Sequence, residues 1–101
     1  MAPQQILTLR KGIVEEQVSS SFYLVKDIFT DDLISVTISA REHIGGLTFS
    51  VGETIYIIVS LYDLKRGRFY SNHQARGINI DFEAIKRQLD NGIDPLNLDK
   101  D

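Results

Sequence analysis

Alternation of apolar and polar side chains within residues 33–39 is the feature that most constrains how this chain can fold. Ile34, Val36 and Ile38 would share one face of a β-strand, because successive side chains of a strand point to opposite faces. Residues 54–62 carry a denser β-branched run, which is typical of a strand buried on both faces. Together the two segments predict a core built from β-strands.

Three further strands and their connections are predicted from the pattern around these two segments. The additional strands are a long first strand bent at Gly12 and two shorter ones, at residues 4–18, 22–25 and 68–70. The connections are a polar hairpin loop, a short helical turn or loop, and a turn into the last strand, at residues 27–32, 40–46 and 63–67. Five short strands with a bent first strand and a mid-chain turn are typical of an all-β, Greek-key barrel of the oligonucleotide-binding (OB) type.

After residue 74 the composition changes, and one α-helix is predicted at about residues 82–91. Phe82, Ile85 and Leu89 recur at helical spacing, and Asp81 is placed to cap the helix N-terminus. The predicted organisation is therefore an OB-fold barrel with a C-terminal extension that holds one short amphipathic helix and an acidic tail. Their predicted bounds are residues 1–74 and 75–101.

Charge is distributed unevenly along the chain. The net charge is −3, but residues 1–80 contain eight Lys or Arg and eight Asp or Glu, so the whole excess of acid lies in residues 81–101. This balance excludes a uniformly basic nucleic-acid binder, whereas a local basic patch stays possible.

Motifs of the common enzyme classes are absent from the sequence. It has no glycine-rich phosphate loop, no Gly-x-Ser-x-Gly elbow and no His-Glu-x-x-His pair. The histidines His43 and His73 have no ligand-like neighbours at short spacing, and the chain has no cysteine for a disulfide or a thiolate site. We therefore expect no catalysis, no cofactor and no metal. Because the longest apolar run is residues 55–59, far short of the roughly 20 residues that span a bilayer, no membrane partner is expected either.

Residues 60–69, Ser-Leu-Tyr-Asp-Leu-Lys-Arg-Gly-Arg-Phe, are the most informative stretch. With Arg76 they place four basic residues and no acid between residues 64 and 80. Lys and Arg neutralise phosphates and aromatic faces stack on bases, so this combination suits an RNA surface. The other interpretation is a solvated hairpin turn that uses Gly67 for a positive φ angle, and composition alone does not separate the two.

This stretch closely resembles the Ser-Pro-Tyr-Asp-Leu-x-x-Gly-Arg-Ile signature of the bacterial translation initiation factor one family. Upstream, Val14-Glu15 and Phe22 resemble that family's opening strand pair, and Ile38-Ser39 resembles its Ile-Ser pair. The resemblance covers about residues 10–72. It implies a five-stranded OB-fold barrel that performs no chemistry.

The resemblance also implies partners and a binding surface. Members of the family sit at the decoding site of the small ribosomal subunit, where they contact ribosomal RNA and a neighbouring ribosomal protein, block early tRNA entry and support the second initiation factor. A monomer is expected, in the cytoplasm or in an organellar matrix or stroma. The RNA-binding residues implied by position are Arg41, His43, Tyr62, Lys65, Arg66 and Arg68.

Several positions depart from the family pattern. Thr37 stands at a His, Glu42 at a Met and Leu61 at the Pro of the signature, and residues 46–49 lack an Arg. Each missing phosphate contact weakens RNA binding and lowers its log–log salt slope by about one. A divergent orthologue, an organellar form and a paralogue that borrows the fold are all compatible with this pattern.

Two other functions stay open on the sequence. One is a protein-interaction module, in which the barrel is a scaffold and the acidic helix docks a partner or folds over the barrel's own basic face. The other is a general binder of single-stranded nucleic acid, which the few aromatic residues and the neutral charge of residues 1–80 disfavour. Packing of Phe82, Ile85 and Leu89 on the barrel would make the helix structural or autoinhibitory.

Overall fold

The computed structural model describes residues 6–71 and 80–97, in which five strands form a closed barrel in the order β1-β2-β3-β5-β4. The strands are Leu7–Ser19 (β1), Phe22–Asp27 (β2), Leu33–Thr37 (β3), Thr54–Ser60 (β4) and Asp63–Phe69 (β5). The helices are Ala40–Ile44 (α1) and Phe82–Asp90 (α2). This architecture confirms the predicted OB-type barrel with a C-terminal helix. Neither of the two described helices has the length and apolar character needed to cross a membrane.

Strand β1 is long enough to pair with two neighbours. Its first half runs antiparallel to β4, and its second half runs antiparallel to β2. Gly12 belongs to both ladders, and a Cβ atom added there would lie 2.5 Å from Cγ1 of Val25. The absence of a side chain therefore lets β1 turn from one neighbour to the other without a clash.

Apolar side chains fill the barrel interior and form the inner cluster. Its buried members are Val14, Tyr23, Val25, Ile34, Val36, Ile38, Phe49, Ile55, Ile57 and Val59. The three residues that the alternation of residues 33–39 assigned to one face all belong to it. The hydroxyl of Tyr23 is satisfied inside this cluster, because it accepts from the Phe49 amide at 3.3 Å and is 3.1 Å from Oγ1 of Thr48.

Strand β5 begins earlier than the sequence predicted. The turn expected at residues 63–67 lies at Leu61 and Tyr62, and β5 already begins at Asp63, which pairs with Ser60. After a register shift, Gly67 pairs antiparallel with Val59 of β4 and parallel with Val36 of β3. The interpretation of Gly67 as a turn glycine with positive φ is wrong. A Cβ atom at Gly67 would lie 2.4 Å from the carbonyl oxygen of Ile58, so glycine is there to let β5 approach β4 closely.

Helix α2 packs on the outside of the barrel and creates the outer cluster. Its buried members are Leu9 of β1, Ile58 of β4, Tyr70, Phe82 and Leu89. As predicted, Asp81 caps α2, with its carboxylate accepting from the Ala84 amide at 3.1 Å. The barrel therefore covers the apolar face of α2.

One arginine is buried between two carboxylates where the C-terminal segment meets the barrel. Arg10 of β1 is 1 % exposed. Its Nε donates to Asp27 of β2 at 2.6 Å, and its Nη1 donates to Asp94 at 2.5 Å. Asp27 and Asp94 are themselves buried, so the three side chains form an ion triad shielded from solvent.

Candidate nucleic-acid interface

Three basic side chains follow one another on β5 and are defined here as the β5 basic strip, consisting of Lys65, Arg66 and Arg68. All three are exposed. Gly67 pairs with Val59 of the inner cluster, whereas Arg68 pairs with Ile58 of the outer cluster. Because alternate residues of a strand share a face, Arg66 and Arg68 both lie on the outer surface of the barrel.

A groove of about 320 Å³ runs beside the strip on this outer surface. Its lining combines aliphatic side chains, two hydroxyl side chains and two guanidinium groups: Leu7, Thr37, Ile58, Val59, Ser60, Arg66, Gly67 and Arg68. Guanidinium and hydroxyl groups are the usual protein donors to phosphate oxygens. The groove can therefore hold an anionic, partly apolar strand such as the backbone of RNA.

Within the described residues, one weak ion pair involves the strip. Nε of Arg66 lies 3.6 Å from Oδ2 of Asp63, and the two side chains are 83 % and 50 % exposed. A pair this open to water is screened and contributes little. It does not prevent Arg66 from turning to a phosphate.

Tyr62 is the most exposed aromatic residue in the described part of the chain, at 84 %. It lies in the turn between β4 and β5, where its amide donates to Oγ of Ser60 at 3.0 Å. That bond fixes the backbone of the turn and leaves the ring free to stack. Exposed aromatic rings beside basic side chains are a common platform for unpaired bases.

The other two predicted contacts, Arg41 and His43, lie on α1. Ser39 and Glu42 form a reciprocal capping box: the Ser39 hydroxyl accepts from the Glu42 amide at 3.1 Å, and the Glu42 carboxylate accepts from the Ser39 amide at 2.9 Å. The box holds this five-residue helix in place, with Arg41 and His43 exposed. Glu42, which stands where the family pattern has Met, therefore stabilises the N-terminus of α1.

The six predicted residues lie on three parts of the chain: α1, the turn between β4 and β5, and β5 itself. Parallel pairing of Thr37 with Arg68 places α1, which follows β3, at the Arg68 end of β5. Tyr62 lies in the turn before β5, but the β4–β5 register shifts between Val59 and Ser60, so that Asp63 pairs with Ser60 and Arg68 pairs with Ile58, only two residues apart on β4. Arg41 and His43 therefore lie beyond the Arg68 end of the β5 basic strip, and Tyr62 lies at its other end.

Thr37, Ser60, Leu7 and Ile58 were missed as potential contacts. The signal for Thr37 was available, because the alternation of residues 33–39 already placed it on the outer face. The positions of the other three follow only from the pairing of β1, β4 and β5. In the described ranges, no group of three or more His, Asp or Glu side chains is arranged to hold a metal ion.

Comparison with known proteins supports the fold. No protein-family model matches the chain, and no curated protein matches it in sequence. Among solved structures, it is similar to the solution structure of translation initiation factor one from the Wolbachia endosymbiont strain TRS of Brugia malayi. The TM-score is 0.51 at 20 % identity, and the match covers 75 % of this chain and 92 % of that one. A likeness at this identity shows an OB fold like that of initiation factor one.

Proposed function

We propose that this protein is an initiation-factor-like RNA-binding protein that binds ribosomal RNA at the decoding site of the small ribosomal subunit and assists initiation. The observation that carries the proposal is the β5 basic strip, with Arg66 and Arg68 side by side on the outer surface next to an open groove. The fold, which is like that of initiation factor one, and the resemblance of residues 60–69 to the family signature support it.

Two acids of α2 are engaged in hydrogen bonds to the barrel. Glu83 accepts a hydrogen bond from the hydroxyl of Tyr70 at 2.5 Å. Asp90 accepts from the hydroxyl of Tyr56 and from Nζ of Lys11. These hydrogen bonds hold both carboxylates against the barrel.

The proposal implies binding without catalysis, by a monomer that acts wherever its ribosome is, in the cytoplasm or in an organelle. A neighbouring ribosomal protein and the second initiation factor are its implied protein partners. The RNA is bound by electrostatic contacts with its phosphates at the β5 basic strip and by stacking of a base on Tyr62.

Co-sedimentation with isolated small and large ribosomal subunits, over a series of salt concentrations, tests this function. We expect binding to small subunits only, falling with salt. The double variant Arg66→Glu plus Arg68→Glu should lose at least about tenfold in affinity, and its log–log salt slope should fall by about two, because two phosphate contacts are lost.

A matched pair of single variants separates a local contact from a general charge effect. Arg68→Glu and Arg87→Glu change the net charge equally, but Arg87 lies exposed in the last turn of α2. Only Arg68→Glu should weaken binding. Salt-insensitive binding, equal binding to both subunits, or equal losses in the two variants would overturn the proposal.

A further inference from the structure

We propose that residues 80–97 form a clasp that opens and closes on an otherwise intact barrel, with Asp94 as the latch that holds Arg10. This device is independent of the RNA-binding proposal. It rests on the buried ion triad, on the separation of the two apolar clusters and on the polar contacts of α2.

The latch is a charged contact shielded from water. Nη1 of Arg10 lies 2.5 Å from Oδ1 of Asp94, and both side chains are 1 % exposed. The ring of Phe29 packs over the guanidinium, with its centroid 5.4 Å away. A charge-assisted hydrogen bond in such a place is much stronger than one at the surface.

Charge counting shows why the latch can release without unfolding the barrel. Arg10 carries one positive charge, and Asp27, which belongs to the barrel strand β2, already balances it at 2.6 Å. Asp94 is a second carboxylate, and its Oδ1 is also held by the amide of Leu96 at 2.9 Å. When Asp94 leaves, Arg10 and Asp27 remain a neutral pair, so no unpaired charge stays buried.

The barrel core is also independent of the clasp. Every buried member of the inner cluster lies between residues 14 and 59, and its partly buried neighbours include Leu64 and Phe69 but no residue of 80–97. Phe82 and Leu89 belong only to the outer cluster. Opening the clasp therefore costs outer contacts and leaves the interior packed, as expected of a separately opening unit.

Opening would uncover a new apolar surface next to the candidate interface. Leu9 and Ile58 lie under α2, and Ile58 also lines the groove beside the β5 basic strip. The covered face and the open groove are thus one continuous outer surface of the sheet. With the clasp open, the apolar part of the groove extends across β4 to β1.

Hydrogen exchange of the full-length chain tests the latch by comparing two isosteric variants. In Asp94→Asn, the amides of α2 should exchange at least about tenfold faster, whereas those of β2 and β3 keep their wild-type rates. In Asp27→Asn, Arg10 loses its charged partner inside the barrel, and a single amide oxygen replaces the two carboxylate oxygens that accept from Arg10 and from the Phe29 amide, so exchange should rise in β2 and β3 as well.

Each other outcome contradicts the clasp. Faster exchange throughout the barrel of Asp94→Asn, including loss of its fold, would show that residues 80–97 are an inseparable part of one folding unit. Unchanged exchange in α2 would show that Asp94 is no latch. The control is Asp32→Asn, an exposed position in the β2–β3 connection, which should leave both regions unchanged.

Discussion

Gly67 lies between Arg66 and Arg68, and its missing side chain decides how closely β5 approaches β4. Besides the Ile58 carbonyl oxygen at 2.4 Å, an added Cβ would meet Cγ2 of Ile57 at 2.6 Å. Since neither a strand carbonyl nor an inner-cluster side chain can move freely, Gly67→Ala should destabilise the protein by about 1–3 kcal/mol in urea unfolding.

Gly45→Ala provides the control for this prediction. Gly45 ends α1 with φ of −72°, and an added Cβ would have its nearest neighbour at 3.4 Å. The change should stay within about 0.5 kcal/mol of wild type. Equal unfolding midpoints for the two variants would contradict the role assigned to Gly67.

Residues whose role depends on distant parts of the chain could not be recognised from local sequence. A glycine among Lys and Arg is typical of a turn, and only the approach of β4 shows that Gly67 serves a strand. Arg10 is one basic residue in a strand pattern, and its partners lie 17 and 84 residues away. By contrast, the exposure of Lys65, Arg66 and Arg68 could be predicted from residue type alone, because charged side chains rarely leave water without a partner.

At the scale of single elements, local sequence signals correctly predicted the strand and the helix whose formation they favour. Alternation identified β3, and the cap at Asp81 and the apolar spacing identified α2. The bounds of β4 and β5 were wrong, since β4 ends at Ser60 and β5 begins at Asp63. Both sides of that two-residue turn have strand-like backbone, so no change of periodicity marks it.

The attachment of α2 should depend on pH at the alkaline end. Burial, and then the hydrogen bonds to Asp90 and Glu83, raise the pKa of Tyr56 and of Tyr70 from 10.0 to about 12. The folded state therefore holds these phenol protons more tightly than the unfolded state does. Their contribution to stability is complete below pH 10 and is lost as the pH rises to about 12.

Urea unfolding between pH 9 and pH 12 measures this loss. Stability should fall across the range, and the fall should be smaller in the double variant Tyr56→Phe plus Tyr70→Phe, which has no phenol to ionise at either contact. Ultraviolet absorbance of phenolate follows the same titration directly. An identical pH dependence in both proteins would exclude these two contacts as its source.

For the whole molecule, the closed barrel requires pairings between distant segments. Strand β1 pairs with β4, which lies more than forty residues later in the chain. Strands β3 and β5 pair in parallel although α1 and β4 lie between them in the sequence. Chains dominated by such contacts fold in milliseconds to seconds. Stopped-flow refolding monitored by tyrosine fluorescence should fall in this range, and a microsecond phase that completes the barrel would contradict it.

The same long-range pairing limits how much of the candidate interface could be predicted. The sequence supplied the six candidate contact residues one by one, through the family resemblance. Their arrangement, with Arg41 and His43 beyond one end of the β5 basic strip and Tyr62 at its other end, depends on β3 pairing parallel to β5, and no local pattern encodes that choice. The structure therefore adds the relative positions of these residues, whereas their chemical character was already evident from the sequence.

The contact between Arg10 and Asp94 also has a consequence in time. A ribosome joins residues at roughly 5–20 per second, so Asp94 is added on the order of 4–17 s after Arg10, which precedes it by 84 residues. Asp27 follows Arg10 by only 17 residues, so the guanidinium meets this carboxylate well before Asp94 is made. Leu9 and Ile58 likewise precede α2, which covers them, in the chain. Until α2 is made, the growing chain therefore lacks the segment that buries Leu9 and Ile58 in the folded protein.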